Sequence, residues 1–454
     1  MKNNKLLIPK SSVYGIEWPA LPGHSAAAML AMQYQLEQSQ WLPSEVLLQQ
    51  QFHQLDRILS HAIETVPFYQ RHFQEVGFDT KSGISPELFT QLPLLRRSDI
   101  QSSGDTLLSR QVPKGHGRLF VHQTSGSSGK PIKTIGTNVT QFFWNVFTLR
   151  DHIWHKRNLK GKLASIRTTV KDGIAQGWGP STDVAFNTGI CAMLNIRADI
   201  DTQINWIAEQ NPDYLLSHPS NIRALAQRCI SKHIRISNLC EVRTFGETVS
   251  PDLRAVCLEA WGVPIVDTYS AQEIGYIALQ CPETEHYHIQ LENVFVEILN
   301  EHGHPCEPGE IGHVVVTTLH NFAMPLIRYE ILDYAEVGKT CSCGRGLPVL
   351  RRILGRQRNM LTLPDGKQHW PSFPAESWAY IAPIRQIQLV QRQRDNIVTR
   401  IVADRPLFPE QEHRLTAVLQ ERLGYPFHIT YEYLEQIDRN ASYKYEDFVS
   451  ELSV

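Results

Sequence analysis

The middle of the chain constrains the fold most. Between about 120 and 275, short apolar stretches alternate with segments of helical periodicity. Arg118-Leu119-Phe120-Val121-His122 reads as a strand, and an apolar segment beginning near Phe142 supplies the next helix. A helical stretch over 204–210 leads through Asn211-Pro212 into Asp213-Tyr214-Leu215-Leu216, and 221–230 is again helical in pattern. Val263-Pro264-Ile265-Val266-Asp267 is a β-branched strand. Such alternation implies an α/β layout with largely parallel pairing. A mostly antiparallel part is expected over 285–340, with Ile311-Gly312-His313-Val314-Val315-Val316-Thr317 as its clearest strand. Nearer the start, residues 43–65 form a helix that Pro67 interrupts by pushing Val66 out of helical geometry. Residues 355–454 look separate, with an Asp365-Gly366 turn, strands over 386–402 and a helix over 409–423 after Pro406. The expected division is therefore 1–354, a large domain of mixed sheets and helices, and 355–454, a small α+β domain, cut at Leu354-Gly355.

A chain of 454 residues is too long for one compact core. A net charge of -2 weighs against partners held by phosphate neutralisation, so nucleic acid is not expected. The start lacks a signal-peptide apolar stretch, and the run over 26–32 is far short of the roughly 20 residues that span a bilayer. No membrane contact and a cytoplasmic location are the expectations. Eight cysteines give no disulfide framework in a chain this long.

The loop Thr124-Ser125-Gly126-Ser127-Ser128-Gly129-Lys130-Pro131 consists of glycines and small hydroxyl residues before a lysine. Such a loop brings backbone N–H groups and hydroxyls close to phosphate oxygens without obstruction. Composition alone equally suits a Ser/Gly surface loop. It is not a Walker loop, because Gly126 and Gly129 are too close together and Pro131 follows the lysine.

This loop resembles the phosphate-binding signature of the adenylate-forming superfamily, and the chain resembles its phenylacetate–CoA ligase and capsule-biosynthesis branch. Ala62-Ile63-Glu64-Thr65-Val66-Pro67-Phe68-Tyr69, Leu92-Pro93-Leu94-Leu95-Arg96-Arg97-Ser98-Asp99-Ile100 and His218-Pro219-Ser220 are similar to segments of that branch. The resemblance implies roles for further residues. Gly246 and Glu247, in Phe245-Gly246-Glu247-Thr248, lie in a loop beside the nucleotide, although Glu247 alone would equally read as a solvated turn carboxylate. In Thr268-Tyr269-Ser270-Ala271-Gln272-Glu273, Tyr269 stacks near adenine and Glu273 binds Mg²⁺, a cation that takes hard oxygen ligands. In Met324-Pro325-Leu326-Ile327-Arg328-Tyr329-Glu330-Ile331-Leu332-Asp333, Asp333 accepts both ribose hydroxyls and Arg328 pairs with a carboxylate. Arg356 opens the hinge motif, but Arg358 and Asn359 stand where the family usually has aspartates. Lys444 neutralises developing charge as the acid attacks the α-phosphate, with Tyr443 in place of the usual glycine.

Cys341-Ser342-Cys343 is a weak signal alone. Some members of the branch join a cysteine, a histidine and a C-x-C in one zinc site, and here Cys281, His288, Cys341 and Cys343 would supply the Cys₃His set of structural zinc. Buried thiols and a surface histidine are the alternative.

The resemblance thus implies ATP- and Mg²⁺-dependent activation of a small carboxylic acid, by analogy aromatic, as acyl-AMP. The acceptor would be the thiol of coenzyme A or of an acyl carrier protein's phosphopantetheine; a homodimer is compatible with this. Phe142, Phe143, Trp144, Tyr214 and Tyr276 are candidate pocket walls. An amide ligase with an amine acceptor and a non-catalytic nucleotide-binding homologue are the rival readings.

Overall fold

The computed structural model describes residues 7–75, 77–78, 83–123, 132–168, 170–371, 378, 381–437 and 445–452. The phosphate-type loop 124–131 and Tyr443-Lys444 lie outside the described residues.

Near the N-terminus, the expected interruption is a junction of two helices, Ser44–Thr65 and Pro67–Glu75. Val66 between them is extended, and Pro67 opens the second helix, where a missing N–H leaves no bond unmade. Strands β1 (Leu119–Gln123) and β2 (Lys133–Thr137) form an antiparallel hairpin of their own. This corrects the expectation that the parallel alternation begins near 120. The connection between them is too short for the dozen or so residues of a parallel crossover. The next helix, Asn138–Trp154, starts ahead of Phe142 because Thr137 caps it: its hydroxyl accepts from Thr140 N while its own N–H donates to Thr140 Oγ1.

Among the described residues, twelve strands form one sheet: β3 (Leu163–Arg167), β4 (Gly173–Gln176), β5 (Ile190–Asn195), β6 (Tyr214–Ser217), β7 (Glu241–Phe245), β8 (Ile265–Ala271), β9 (Gly275–Gln280), β10 (Tyr287–Ile289), β11 (Val294–Leu299), β12 (Ile311–Thr318), β13 (Tyr329–Val337) and β14 (Val349–Arg356), in the order 11-12-13-14-10-9-8-7-6-3-5-4. Strands β5, β3, β6, β7 and β8 run parallel. The pairs β11/β12 and β12/β13 are antiparallel, as expected over 285–340, and β13/β14 extends the antiparallel run beyond that range. Helices Ile200–Gln210, Pro219–Lys232 and Pro251–Trp261 cover the parallel half, burying Ile204, Ile207, Ile222, Leu225 and Val256 against Ala164, Ile166, Leu215 and Val242. Removing this apolar area from water is the main force joining sheet to helices.

A buried ionic network joins the parallel half to the helix Asn138–Trp154 and the residues that follow it. Arg157 donates from Nε to Glu241 at 2.6 Å and from Nη1 to Asp151 at 2.6 Å, and Arg243 donates to the same Asp151 oxygen at 2.8 Å. All four side chains are buried. Burial opposes the Asp151 charge, and Arg157 and Arg243 more than offset it, holding its carboxyl below the usual range.

A short pair, β15 (Leu361–Thr362) and β16 (Gln368–His369), precedes a four-stranded sheet of β17 (Ile384–Gln393), β18 (Asn396–Ala403), β19 (His428–Tyr433) and β20 (Phe448–Ser450), ordered 19-18-17-20. Helix Pro409–Leu423 buries Leu415, Leu419 and Leu423 against Leu389, Ile397 and Ile401. No helix among the described residues is long and apolar enough to cross a membrane.

Candidate active site at the carboxyl end of the central sheet

In open α/β sheets, ligands bind beyond the carboxyl ends of the parallel strands. Strand β7 ends there in Phe245-Gly246-Glu247, where Gly246 has φ +79°, a left-handed conformation that favours glycine. Strand β8 carries Tyr269 towards the same end. Register brings in two further residues: Asp333 on β13 and Arg356 on β14 are direct cross-strand partners. Tyr269 OH donates to Asp333 Oδ2 at 2.9 Å, and Arg356 Nε lies 3.6 Å from Oδ1. Burial pushes the Tyr269 phenol well up and the Asp333 charge adds to it, so the phenol stays protonated and donates. The Asp333 and Arg356 side chains keep 21% and 28% of their surface exposed, which leaves this carboxylate open to a ligand on one side.

Glu273 sits in the turn between β8 and β9, close enough to Arg97, Asp333 and Arg356 to feel their charges. Burial pushes its carboxyl up, Arg97 and Arg356 pull it down, and Asp333 raises it further. A carboxylate crowded by another carboxylate is stabilised by a cation placed between them. Arg97 also hydrogen-bonds Tyr329. Sequence reasoning assigned Arg97 no role, although the segment 92–100 that carries it stood out. Its position comes from a tertiary clamp: Leu95 N donates to Arg328 O at 2.9 Å, and Glu330 N donates to Leu95 O at 3.0 Å. Arg328 fills the structural role expected of it. Its guanidinium makes a two-pronged pair with Glu297 at 3.0 and 2.9 Å and bonds the carbonyls of Thr90 and Leu92.

A cavity of about 250 Å³ opens beside Glu273. Phe143 and Trp144 form one wall, and His122, Thr134, Asn293 and His320 contribute polar edges. Phe143 stacks flat on His320 at 3.9 Å. The other suggested walls lie elsewhere. Tyr276 packs behind Trp144 at 5.1 Å, Tyr214 packs on Trp178, and Phe142 lines a separate outer groove with Met29 and Val184.

Glu247 is engaged by protein donors. Its Oε2 accepts from Ser220 N at 2.8 Å, and its Oε1 accepts from Ser220 Oγ at 3.1 Å and from Tyr445 N at 3.0 Å. The two departures from the usual hinge also have partners. Arg358 pairs with Glu446 at 2.6 Å, while Asn359 accepts from Arg356 N and donates to Phe448 O. The left-handed backbone here falls on Gly355, φ +85°, where an added Cβ would lie 3.0 Å from Thr248 Oγ1.

On the opposite side of β9, Cys281, His288, Cys341 and Cys343 converge, with their ligand atoms within 4.8 Å of one another. Cys281 and Cys341 sulfurs are 3.8 Å apart, close to the ~3.8 Å that tetrahedral zinc–thiolate bonds of about 2.3 Å require. His288 Nδ1 lies 3.3 Å from Leu347 O, leaving Nε2 turned towards Cys343 Sγ at 3.3 Å. An imidazole oriented through its other nitrogen is the usual arrangement of a metal ligand.

The CapK C-terminal domain family matches residues 374–451. The phenylacetate–coenzyme A ligase of Thermus thermophilus is 26% identical over 422 residues, covering 87% of this chain and 92% of its own. The Escherichia coli phenylacetate–coenzyme A ligase is 25% identical over 356 residues, covering 74% and 77%. Among solved structures, a 2-hydroxyisobutyryl-CoA ligase in its postadenylation state superposes with a TM-score of 0.73 at 18% identity, covering 91% of this chain and 92% of that one. The same ligase in its thioesterification state gives 0.60, covering 91% of each. Motif order, fold and these relatives all fit the adenylate-forming superfamily. Within that class, its sequence is similar to the phenylacetate–coenzyme A ligases.

Proposed function

We propose that the protein is an AMP-forming acid–thiol ligase. ATP and a carboxylic acid give acyl-AMP and pyrophosphate, and a thiol, coenzyme A or a carrier-protein phosphopantetheine, then displaces AMP. The observation that carries this reading is the convergence of Tyr269, Asp333, Arg356 and Glu273 at one sheet end. Asp333 offers its exposed side to the ribose hydroxyls, held in place by Tyr269 and Arg356. Glu273 holds Mg²⁺, which neutralises phosphate charge. Loop 124–131 cradles the phosphates, and Lys444 approaches the α-phosphate from the small C-terminal part, 355–454. The acid lies in the cavity against Phe143 and Trp144, whose ring walls favour an aromatic acid. The greater similarity to a postadenylation form than to a thioesterification form supports reading this arrangement as the acid-activating one.

The test is acid-stimulated pyrophosphate release across a panel of aryl and aliphatic acids, followed by addition of coenzyme A or a carrier protein. Stimulation by an aryl acid and thioester formation are expected. ATP binding without stimulation by any acid would overturn the reading. For the Cys₃His cluster, we propose one structural zinc per chain tying the β9–β10 turn to the 341–343 loop. Metal analysis of the purified protein should find one zinc, lost in Cys341→Ser; a stoichiometry near zero in zinc-replete expression rejects it.

A further inference from the structure

The three residues after Lys444 are held by different chemistry: Tyr445 and Asp447 meet the flank of the large sheet, and Glu446 between them meets Arg358 and strand β17 of the small sheet. Tyr445 N donates to the Glu247 carboxylate at 3.0 Å. The Glu446 side chain pairs with Arg358 at 2.6 Å, and its carbonyl accepts from Gln388 at 2.9 Å. Asp447 lies close enough to Arg223, itself held by Asp252 and Ser250, for the two charges to attract. Phe448 then enters β20 with its carbonyl bound by Asn359 at 2.8 Å. Glu247 is well suited to its part because Ser220 fixes both of its oxygens from the other side. A carboxylate already oriented by two donors loses little freedom on accepting a third, and a bond to a charged acceptor is stronger than one between neutral groups.

We propose that Glu247 is a positioning residue for acid activation: it seats the backbone immediately after Lys444 on the His218-Pro219-Ser220 turn, and the Arg358–Glu446 pair sets the direction in which that segment leaves. The proposal rests on the ligase reading for the role of Lys444, but its geometry does not. Glu247 acts through the segment and touches no reacting atom. Its removal therefore impairs the step that uses Lys444 more than the step that does not.

The experiment compares wild type, Glu247→Ala, Glu247→Gln, Arg358→Glu and Arg358→Glu/Glu446→Arg in two separate reactions. One is acid-dependent ATP–pyrophosphate exchange; the other is thioester formation from added acyl-adenylate and coenzyme A. Glu247→Ala is expected to slow exchange by about tenfold or more, the scale of a lost charge-assisted bond, and to slow it at least several-fold more than thioester formation. Glu247→Gln should fall between. Arg358→Glu should slow exchange, and the charge-swapped pair should recover much of it. Equal loss in both reactions, or no loss in exchange, overturns the proposal. Hydrogen–deuterium exchange of the peptide containing Tyr445 reports the seat without any activity. Protection in wild type that is lost in Glu247→Ala supports the seat; unchanged protection overturns it. If wild type shows no acid-dependent exchange yet protection is lost in Glu247→Ala, the ligase reading fails while the contact stands.

Discussion

Two clusters of charge are built against the same sheet and behave in opposite ways. Around Asp151, two guanidiniums and two carboxylates are buried and bonded to one another. Around Asp333, a carboxylate meets a phenol on one oxygen and a more distant guanidinium on the other, with part of its surface open. A buried network whose charges face one another presents no open surface to a ligand, so it fixes the scaffold, even though Asp151 Oδ1 and Arg157 Nη2 lack a hydrogen-bond partner among the described residues. An oriented but partly exposed carboxylate retains acceptor capacity, and that capacity makes Asp333 a candidate site residue. Sequence alone does not separate them, because Asp, Glu and Arg occur in both. Asp267 stands between the two. It is buried and bonded by Thr244 at 2.7 Å and Tyr287 at 2.8 Å, with no ion pair among the described residues, and burial pushes its carboxyl up to about 6.

The comparison breaks most readily at Asp151. Asp151→Ala leaves Arg157 and Arg243 buried beside a lost counter-charge and should reduce stability by about 3–5 kcal/mol in urea unfolding. A reduction under about 1 kcal/mol would mean the network is not the scaffold described. Asp267 sharpens the contrast through pH. Its folded value lies above its unfolded one, so the folded protein binds the extra proton and stability falls as pH rises between about 4 and about 6. The total change should be about 2–3 kcal/mol, and Asp267→Asn should flatten that part of the profile. At the site, Asp333→Ala should reduce kcat/KM for ATP by about tenfold to a hundredfold while unfolding moves by less than about 1 kcal/mol. A large stability loss with intact ATP use would assign Asp333 to the scaffold instead. Tyr269→Phe should have the smallest effect, a reduction in kcat/KM worth about 0.5–1.5 kcal/mol, because Arg356 still orients the carboxylate.

Much of this candidate site is legible in the sequence. Tyr269, Glu273, Asp333 and Arg356 stand in motifs that resemble, in the same order along the chain, those of the adenylate-forming superfamily. Arg97 was not legible as a site residue. Nothing local to it signals a ligand, and it reaches Glu273 only because the backbone around Leu95 is clamped to Arg328 and Glu330. The family resemblance leads one to expect Glu247 beside the nucleotide; its three protein donors come from two segments far apart in the chain, so that engagement is not legible in the sequence.

Local sequence determined the helix Pro409–Leu423, the junction at Pro67 and the strand character of β12, because these depend on residues a few positions apart. Tertiary structure decided that β1 and β2 form a separate hairpin, that Asp333 opposes Arg356 in register, and that Cys281 and His288 meet Cys341 and Cys343. Those outcomes depend on strand register and on closing long loops, which no short window of sequence contains.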